Sequence, residues 1–199
     1  MHVTVLGAGT MGHGIAQVAA WAGHDVTIRD IDEGILEEGL EAIDSNLRGG
    51  VERGKVSEEV RAATLDRIET TTDLEAAVAD AELVVEAVPE DLGIKHDTFE
   101  KVEAAASDGA TLASNTSSLS VTEIASALEA PDRAIGLHFF NPVHIMGLVE
   151  VVVAEQTSEG TVAFAESFGF VYASHDARPR RRQAEADAAE VDLWWATAP

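Results

Sequence analysis

The run Gly7-Ala8-Gly9-Thr10-Met11-Gly12 stands between the apolar stretch Val3-Thr4-Val5-Leu6 and an amphipathic stretch that ends near Ala22. Few features constrain a fold as tightly as this G-x-G-x-x-G, which demands strand, tight turn and helix in immediate succession. Gly7 permits the turn, Gly9 lets the backbone approach a pyrophosphate, and Gly12 lets the helix pack close to the strand. The free N–H groups and positive dipole end of such a helix attract phosphates. Thr10 and Met11 lie in the same turn and are expected to contact the same ligand. A second strand-like run from Asp25 ends in Asp30, eighteen residues after Gly12. That is close to the spacing of about 20 at which a carboxylate meets the ribose of a bound dinucleotide. An acid there accepts hydrogen bonds from the ribose hydroxyls and repels a 2′-phosphate, so NAD is favoured over NADP, with Arg29 a minor argument the other way. A glycine-rich hairpin or loop is the alternative for the triplet alone; the strand, the helix and the spaced acid disfavour it.

Beyond Asp30, strand-like and helix-like segments alternate. This predicts an α/β fold of Rossmann type, a doubly wound and mostly parallel sheet with helices on both faces. Helical spacing of Ile35, Leu36, Leu40, Ile43 and Leu47 predicts a helix over Glu33 to Arg48, broken by Gly49-Gly50 and Gly54. Ser57 reads as the N-cap of the next helix and Ser120 as that of a later one, with Glu123 completing a capping box. Strands are expected over 67–71, 83–88, 110–113, 134–137 and 148–153, and a last one over Phe170 to Ala173. Between them, Leu92 to Ala106 is predicted helical, with Ile94, Thr98, Phe99 and Val102 on one side, and so is Ser158 to Phe168.

Composition narrows the partners. With 36 acidic against 13 basic residues the formal charge is −23, so nucleic acid and anionic membranes are poor partners. An acid-rich chain with only three lysines resembles proteins of salt-loving organisms, in which high salt screens self-repulsion. No apolar run approaches the ~18 residues needed to span a bilayer, and no signal peptide is expected, which makes the cytoplasm the default compartment. The absence of cysteine excludes disulfides and thiolate chemistry. No cluster has metal-ligand spacing, so no metal is expected.

Three later stretches put polar groups where strands should end: Val85 to Glu90, Ser114 to Ser118, and Leu137 to Pro142. Ligands of open α/β sheets sit at the carboxyl ends of the strands, so all three face the crevice of the dinucleotide. His138 is the natural general base, because an imidazole titrates near neutrality and can accept an alcohol proton as hydride leaves for a nicotinamide. Glu150, on the returning strand, can orient and charge-stabilise that imidazole. Ser117 and Asn115 offer neutral hydrogen-bonding groups to substrate or nicotinamide ribose.

The stretches Gly7 to Gln17, Val84 to Glu90, Ser114 to Leu119 and Gly136 to Val152 resemble the NAD-binding domain of the L-3-hydroxyacyl-CoA dehydrogenase family, and the similarity covers about residues 1–176. The resemblance implies that Gly7, Gly9 and Gly12 bind the pyrophosphate of NAD and Asp30 its adenosine ribose. It places Glu90, Lys95 and Asn115 along the nicotinamide half, Ser117 on the substrate oxygen, and His138 with Glu150 as base and partner. The implied reaction is oxidation of a 3-hydroxyacyl-CoA to a 3-ketoacyl-CoA. Lys95 also reads as a solvated helix charge, and Glu86 as a strand-end acid near the core. Asn141 is a further expected substrate contact, and Arg53 and Lys55 are candidates for the CoA phosphates.

After Asp176 the likeness ends. Arg178-Pro179-Arg180-Arg181-Arg182 and Trp194-Trp195 fit no element of the preceding pattern, so 177–199 is expected to be an irregular tail and 1–176 the dinucleotide domain. Members of the family continue with a helical domain that builds a dimer interface and closes the substrate site; no counterpart is expected within these residues. A reading-frame slip near Ala177 is one expected account of the change of composition, with a genuine tail as the other. Self-association, or a helical domain from a separate chain, is the expected partner besides the acyl-CoA. A dinucleotide-binding chain without turnover is the competing reading.

Overall fold

The computed structural model describes residues 1–173, 183–184 and 191–195, with side chains through residue 168. Its strands are β1 (His2–Leu6), β2 (Asp25–Arg29), β3 (Ile68–Thr71), β4 (Leu83–Glu86), β5 (Thr111–Ser114), β6 (Ala134–Phe139), β7 (Leu148–Val152), β8 (Gln183–Ala184) and β9 (Val191–Trp195). Its helices are α1 (Gly12–Trp21), α2 (Glu33–Glu52), α3 (Glu58–Leu65), α4 (Leu74–Val78), α5 (Leu92–Ala105), α6 (Val121–Ala125), α7 (Val143–Met146) and α8 (Glu159–Ala173). The sheet order is β3-β2-β1-β4-β5-β6-β7-β9-β8. From β3 to β6 all neighbours are parallel; β7 then returns antiparallel to β6. This is the expected Rossmann arrangement, and its strand order reverses between β1 and β4, where such folds bind nucleotides.

Both faces of the sheet are covered, which explains why its strands read as continuous apolar runs. Val3, Val5, Val26, Ile28, Leu83 and Val85 bury one face under α1 and α2, together with Ile15, Ile43 and Leu47. Alternate residues Leu6, Val84 and Leu112 bury the other against Phe99, Val102 and Ile124 of α5 and α6. Burying one such side chain contributes about 1.5–3 kcal/mol.

Several boundaries differ from the sequence expectation. Gly49-Gly50 does not interrupt α2. The helix runs on to Glu52, and a Cβ at Gly50 would stand 2.8 Å from Val56 Cγ2, so glycine here admits the returning chain. Gly54, at φ +66°, is the residue that turns the chain away. The strand expected over Phe170 to Ala173 lies inside α8. A short apolar run has no decisive period, and a helix already under way continues through it. The helices α4 and α7 carry too few residues to show periodicity and were not foreseen. Within 177–199, expected to be irregular, β9 pairs antiparallel with β7 and β8 with β9. Residues 174–182, including His175 and the Arg178 to Arg182 run, lie outside the described residues, as does most of the proposed frame slip. Among the described residues no helix is long and apolar enough to cross a membrane.

Candidate active site

The glycine loop has its sequence-predicted shape, and each glycine has its own reason. Gly7 has φ +98°, and a Cβ on it would stand 2.8 Å from Ala87 O, so the turn after β1 touches the turn after β4 at the reversal point of the sheet. A Cβ on Gly12 would lie 1.7 Å from Gly7 O, inside any tolerable contact. A Cβ on Gly9 would meet nothing within 4 Å. The fold therefore requires glycine at 7 and 12, whereas at 9 it leaves open space above the backbone. Helices α2, α3, α4, α5 and α6 are each capped by an Asp or Ser side chain at residues 32, 57, 73, 91 and 120. By contrast α1 has Met11 at its N-cap position, no side-chain cap and no acid in its first turn. Uncapped N–H groups beside open space fit an anionic pyrophosphate. Thr10 and Met11 stand at this mouth, Thr10 exposed and Met11 partly buried. Asp30 is tethered to the loop: its Oδ2 accepts Ala8 N–H at 2.8 Å and its Oδ1 accepts Ile31 N–H at 2.7 Å. These residues fit a dinucleotide.

His138 and Glu150 occupy directly opposed positions of the antiparallel β6–β7 pair. Their side chains share one face of the sheet, and His138 Nδ1 lies 2.7 Å from Glu150 Oε2. A carboxylate can only accept, so Nδ1 is the donor, and in the neutral imidazole Nε2 is then the nitrogen with the lone pair. The ring is partly exposed and leans on Phe140, centroids 4.5 Å apart. One residue on, Phe139 N–H donates to Asn115 Oδ1 at 2.8 Å, which binds the end of β5 to the histidine's own strand. Val143 packs on Gly14, where a Cβ would stand 2.9 Å from Val143 Cβ; the loop after His138 thereby rests on α1, the helix of the glycine turn.

The reading of Lys95 as a solvated helix charge is overturned. Lys95 lies on the buried face of α5 with Phe99 and Val102, four and seven residues on, and its side chain is 1% exposed. Ile94, expected on that face, is exposed. The Lys95 ammonium donates to Glu86 Oε1 at 2.7 Å and stands 3.2 Å from Glu90 Oε2. Glu86, equally buried, accepts Ser114 Oγ–H at 2.6 Å and Val88 N–H at 2.8 Å. Glu90 Oε1 gathers Thr116 Oγ1 at 2.6 Å, Ser117 N–H at 3.0 Å, Ser118 N–H at 3.2 Å and Ser118 Oγ at 3.1 Å. Burial opposes charge on Glu90, but the Thr116 hydroxyl, the Lys95 ammonium and the Ser117 N–H outweigh it and hold the carboxyl down to about 2. Ser117 thus stands on a backbone fastened from below.

Arg53 and Lys55 lie at the exposed turn between α2 and α3. Asn141 is exposed in the loop after β6. His144 of α7 was not singled out from sequence; burial, then the charges of His13 and Arg53, push its pKa down. Glu86 is, as expected, an acid at the end of its strand and in the core; the network it forms with Lys95 and Ser114 was not foreseen. Among the described residues no group of three or more acids and histidines is arranged to hold a metal ion.

Comparison with known proteins shows the family. Residues 2–170 match the model of the family described as 3-hydroxyacyl-CoA dehydrogenase, NAD binding domain. A 3-hydroxybutyryl-CoA dehydrogenase of Clostridioides difficile is 43% identical over 161 residues, covering 81% of this chain and 57% of that protein. The human mitochondrial hydroxyacyl-coenzyme A dehydrogenase is 44% identical over 178 residues, covering 84% and 56%. The crystal structure of (S)-3-hydroxybutyryl-CoA dehydrogenase PaaH1 from Ralstonia eutropha superposes with a TM-score of 0.84 at 35% identity, covering 86% of this chain and 60% of that one. The chain spans little more than half the length of the curated relatives it matches. With the family model matched over 2–170 and the glycine loop, acid and histidine–glutamate pair in place, this chain belongs to the 3-hydroxyacyl-CoA dehydrogenase family through its NAD-binding domain.

Proposed function

We propose that this chain holds NAD and provides the proton-accepting side of 3-hydroxyacyl-CoA oxidation to 3-ketoacyl-CoA. The observation that carries the reading is the 2.7 Å His138–Glu150 contact, tied through Asn115 to the strand ends beside the glycine loop. The uncapped start of α1 and the open space at Gly9 receive the pyrophosphate, and Asp30 takes the adenosine ribose. Bound NAD supplies the hydride acceptor. His138 Nε2 accepts the proton of the substrate's 3-hydroxyl, and Glu150 keeps Nδ1–H oriented and balances the imidazolium that forms. Ser117 donates to the same substrate oxygen, Asn141 lines the approach, and Arg53 and Lys55 meet the CoA phosphates. Glu90, Lys95 and Asn115 border the nicotinamide half.

The test is a fluorescence titration with NADH in molar salt, run beside NADH oxidation by acetoacetyl-CoA, for the wild type and His138→Asn. Binding in both proteins, with turnover only in the wild type, supports the reading. Binding without turnover in either reduces the chain to a dinucleotide-binding role, and no NADH binding removes both. Self-association and a separately supplied helical domain are read by mass photometry with and without NADH. Cytoplasmic residence belongs to the same reading, and cell fractionation checks it.

A further inference from the structure

Lys95 is one of only three lysines in a chain with 36 acidic residues, yet its ammonium is enclosed while the surface stays acid-rich. Burying an ammonium and a carboxylate costs several kcal/mol per ion before they attract each other, and the pair is rarely worth more than well-packed apolar residues. An arrangement so costly to form calls for a task beyond stability. The contacts show where it leads. Lys95 sits between two carboxylates from the carboxyl end of β4 and the turn after it, Glu86 at 2.7 Å and Glu90 at 3.2 Å. Those carboxylates take hydrogen bonds from the side chains of Ser114, Thr116 and Ser118 and from the N–H groups of Ser117 and Ser118, so the carboxylates beside one buried cation touch the 114–118 segment at four of its five residues. The same segment carries Asn115, whose amide oxygen holds Phe139 N–H beside His138.

We infer that Glu86 and Lys95 are positioning residues: the buried ammonium, itself aimed by Glu86, fixes Glu90 so that Glu90 holds the Ser117 loop at the strand ends. The importance of that loop for substrate rests on the proposed function; the positioning itself does not. Glu86 aims the ammonium because Oε1, which also accepts Val88 N–H, faces Nζ while Ser114 fastens Oε2. Without the ammonium, Glu90 Oε2 loses its cation, and the four donors on Oε1 are left to hold a partly buried charge alone.

The experiment separates positioning from mere stability. Lys95→Met leaves Glu86 buried without a counter-charge and is expected to melt far below the wild type. Glu86→Gln/Lys95→Met restores neutrality and recovers most of the melting temperature. In the double variant the Glu90 carboxyl, followed by ¹³C NMR, titrates clearly above the wild-type midpoint. Amide exchange at Ser117 and Ser118 quickens roughly five- to tenfold, the factor for weakening one ordinary net hydrogen bond. A double variant that recovers its melting temperature and keeps both the wild-type Glu90 midpoint and slow exchange at 117 and 118 overturns the inference. A second measurement needs no substitution. In the wild type the Ser117 and Ser118 amide signals and the Lys95 Nζ signal shift together at the Glu90 midpoint; independent shifts overturn it equally. Neither readout uses NADH, so a chain that fails to bind the cofactor refutes the proposed function without touching this result.

Discussion

Alanine at Gly12 and alanine at Gly9 have opposite consequences, although both are glycines of one motif. At Gly12 the new Cβ would lie 1.7 Å from Gly7 O and 2.8 Å from Gly7 C. Ordinary contact between such atoms needs about 3.3 Å, so the start of α1 must move away by roughly 1.5 Å. Both colliding atoms belong to backbone, and no rotamer change relieves them. The cost falls at the upper end of overpacking, about 3 kcal/mol, which lowers the melting temperature by roughly 6–12 °C in a domain of this size. NADH affinity falls with it, because the N–H groups that receive the pyrophosphate leave their places. At Gly9 an alanine Cβ meets nothing within 4 Å, and Gly9 is not among the glycines with positive φ. Stability is therefore unchanged, or raised by up to about 1 kcal/mol through the stiffer unfolded chain. The methyl nevertheless occupies the space over the loop, and NADH affinity drops at least about tenfold, or 1.4 kcal/mol. Chemical denaturation and NADH titration of the two variants in molar salt measure both quantities. Gly9→Ala protein that binds NADH as the wild type does would refute the assignment of that space to the pyrophosphate.

Glu150→Gln keeps the size of the side chain but lets an amide present either end to Nδ1; turnover should fall by about 10³ or more with NADH affinity unchanged, and comparable turnover would end the role given to the carboxylate. His24 stacks on Phe168 at 5.7 Å with its Nε2 buried and without a hydrogen bond, and burial, then the N-terminal charge, lowers its pKa from 6.5. The folded state thus prefers neutral His24: its contribution is whole above pH 6.5, the unfolded value, and declines as pH falls through that value toward the lower folded one. Urea midpoints at pH 8, 6 and 5 should show this decline, and His24→Leu should remove that part of it; identical slopes for both proteins would contradict the assignment. With a formal charge of −23, the fold should loosen in dilute buffer and recover in molar salt, and circular dichroism indifferent to salt would dismiss the halophilic reading.

Much of this architecture was legible because it rests on local chemistry. The strand–turn–helix around Gly7 to Gly12, the acid at 30 and the caps at Ser57 and Ser120 are decided within a few residues of chain, where backbone geometry leaves few options. The opposition of His138 and Glu150 was also within reach, since a returning strand can set residues twelve apart face to face. Gly49-Gly50 misled because glycine serves both to end a helix and to admit a neighbour, and only the position of Val56 distinguishes the two. Lys95 misled because charge predicts solvent unless a partner waits inside.

What the sequence by itself determined is the doubly wound sheet, the phosphate turn and the residue types at the strand ends, all consequences of period, spacing and side-chain chemistry. Only tertiary structure decided that Lys95 is an interior cation held by Glu86 and Glu90, that Asn115 fastens the strand of His138, and that Val143 rests on Gly14. Those contacts join residues brought together by crossover connections, and the free energy of a buried charge depends on neighbours that no local window of sequence contains.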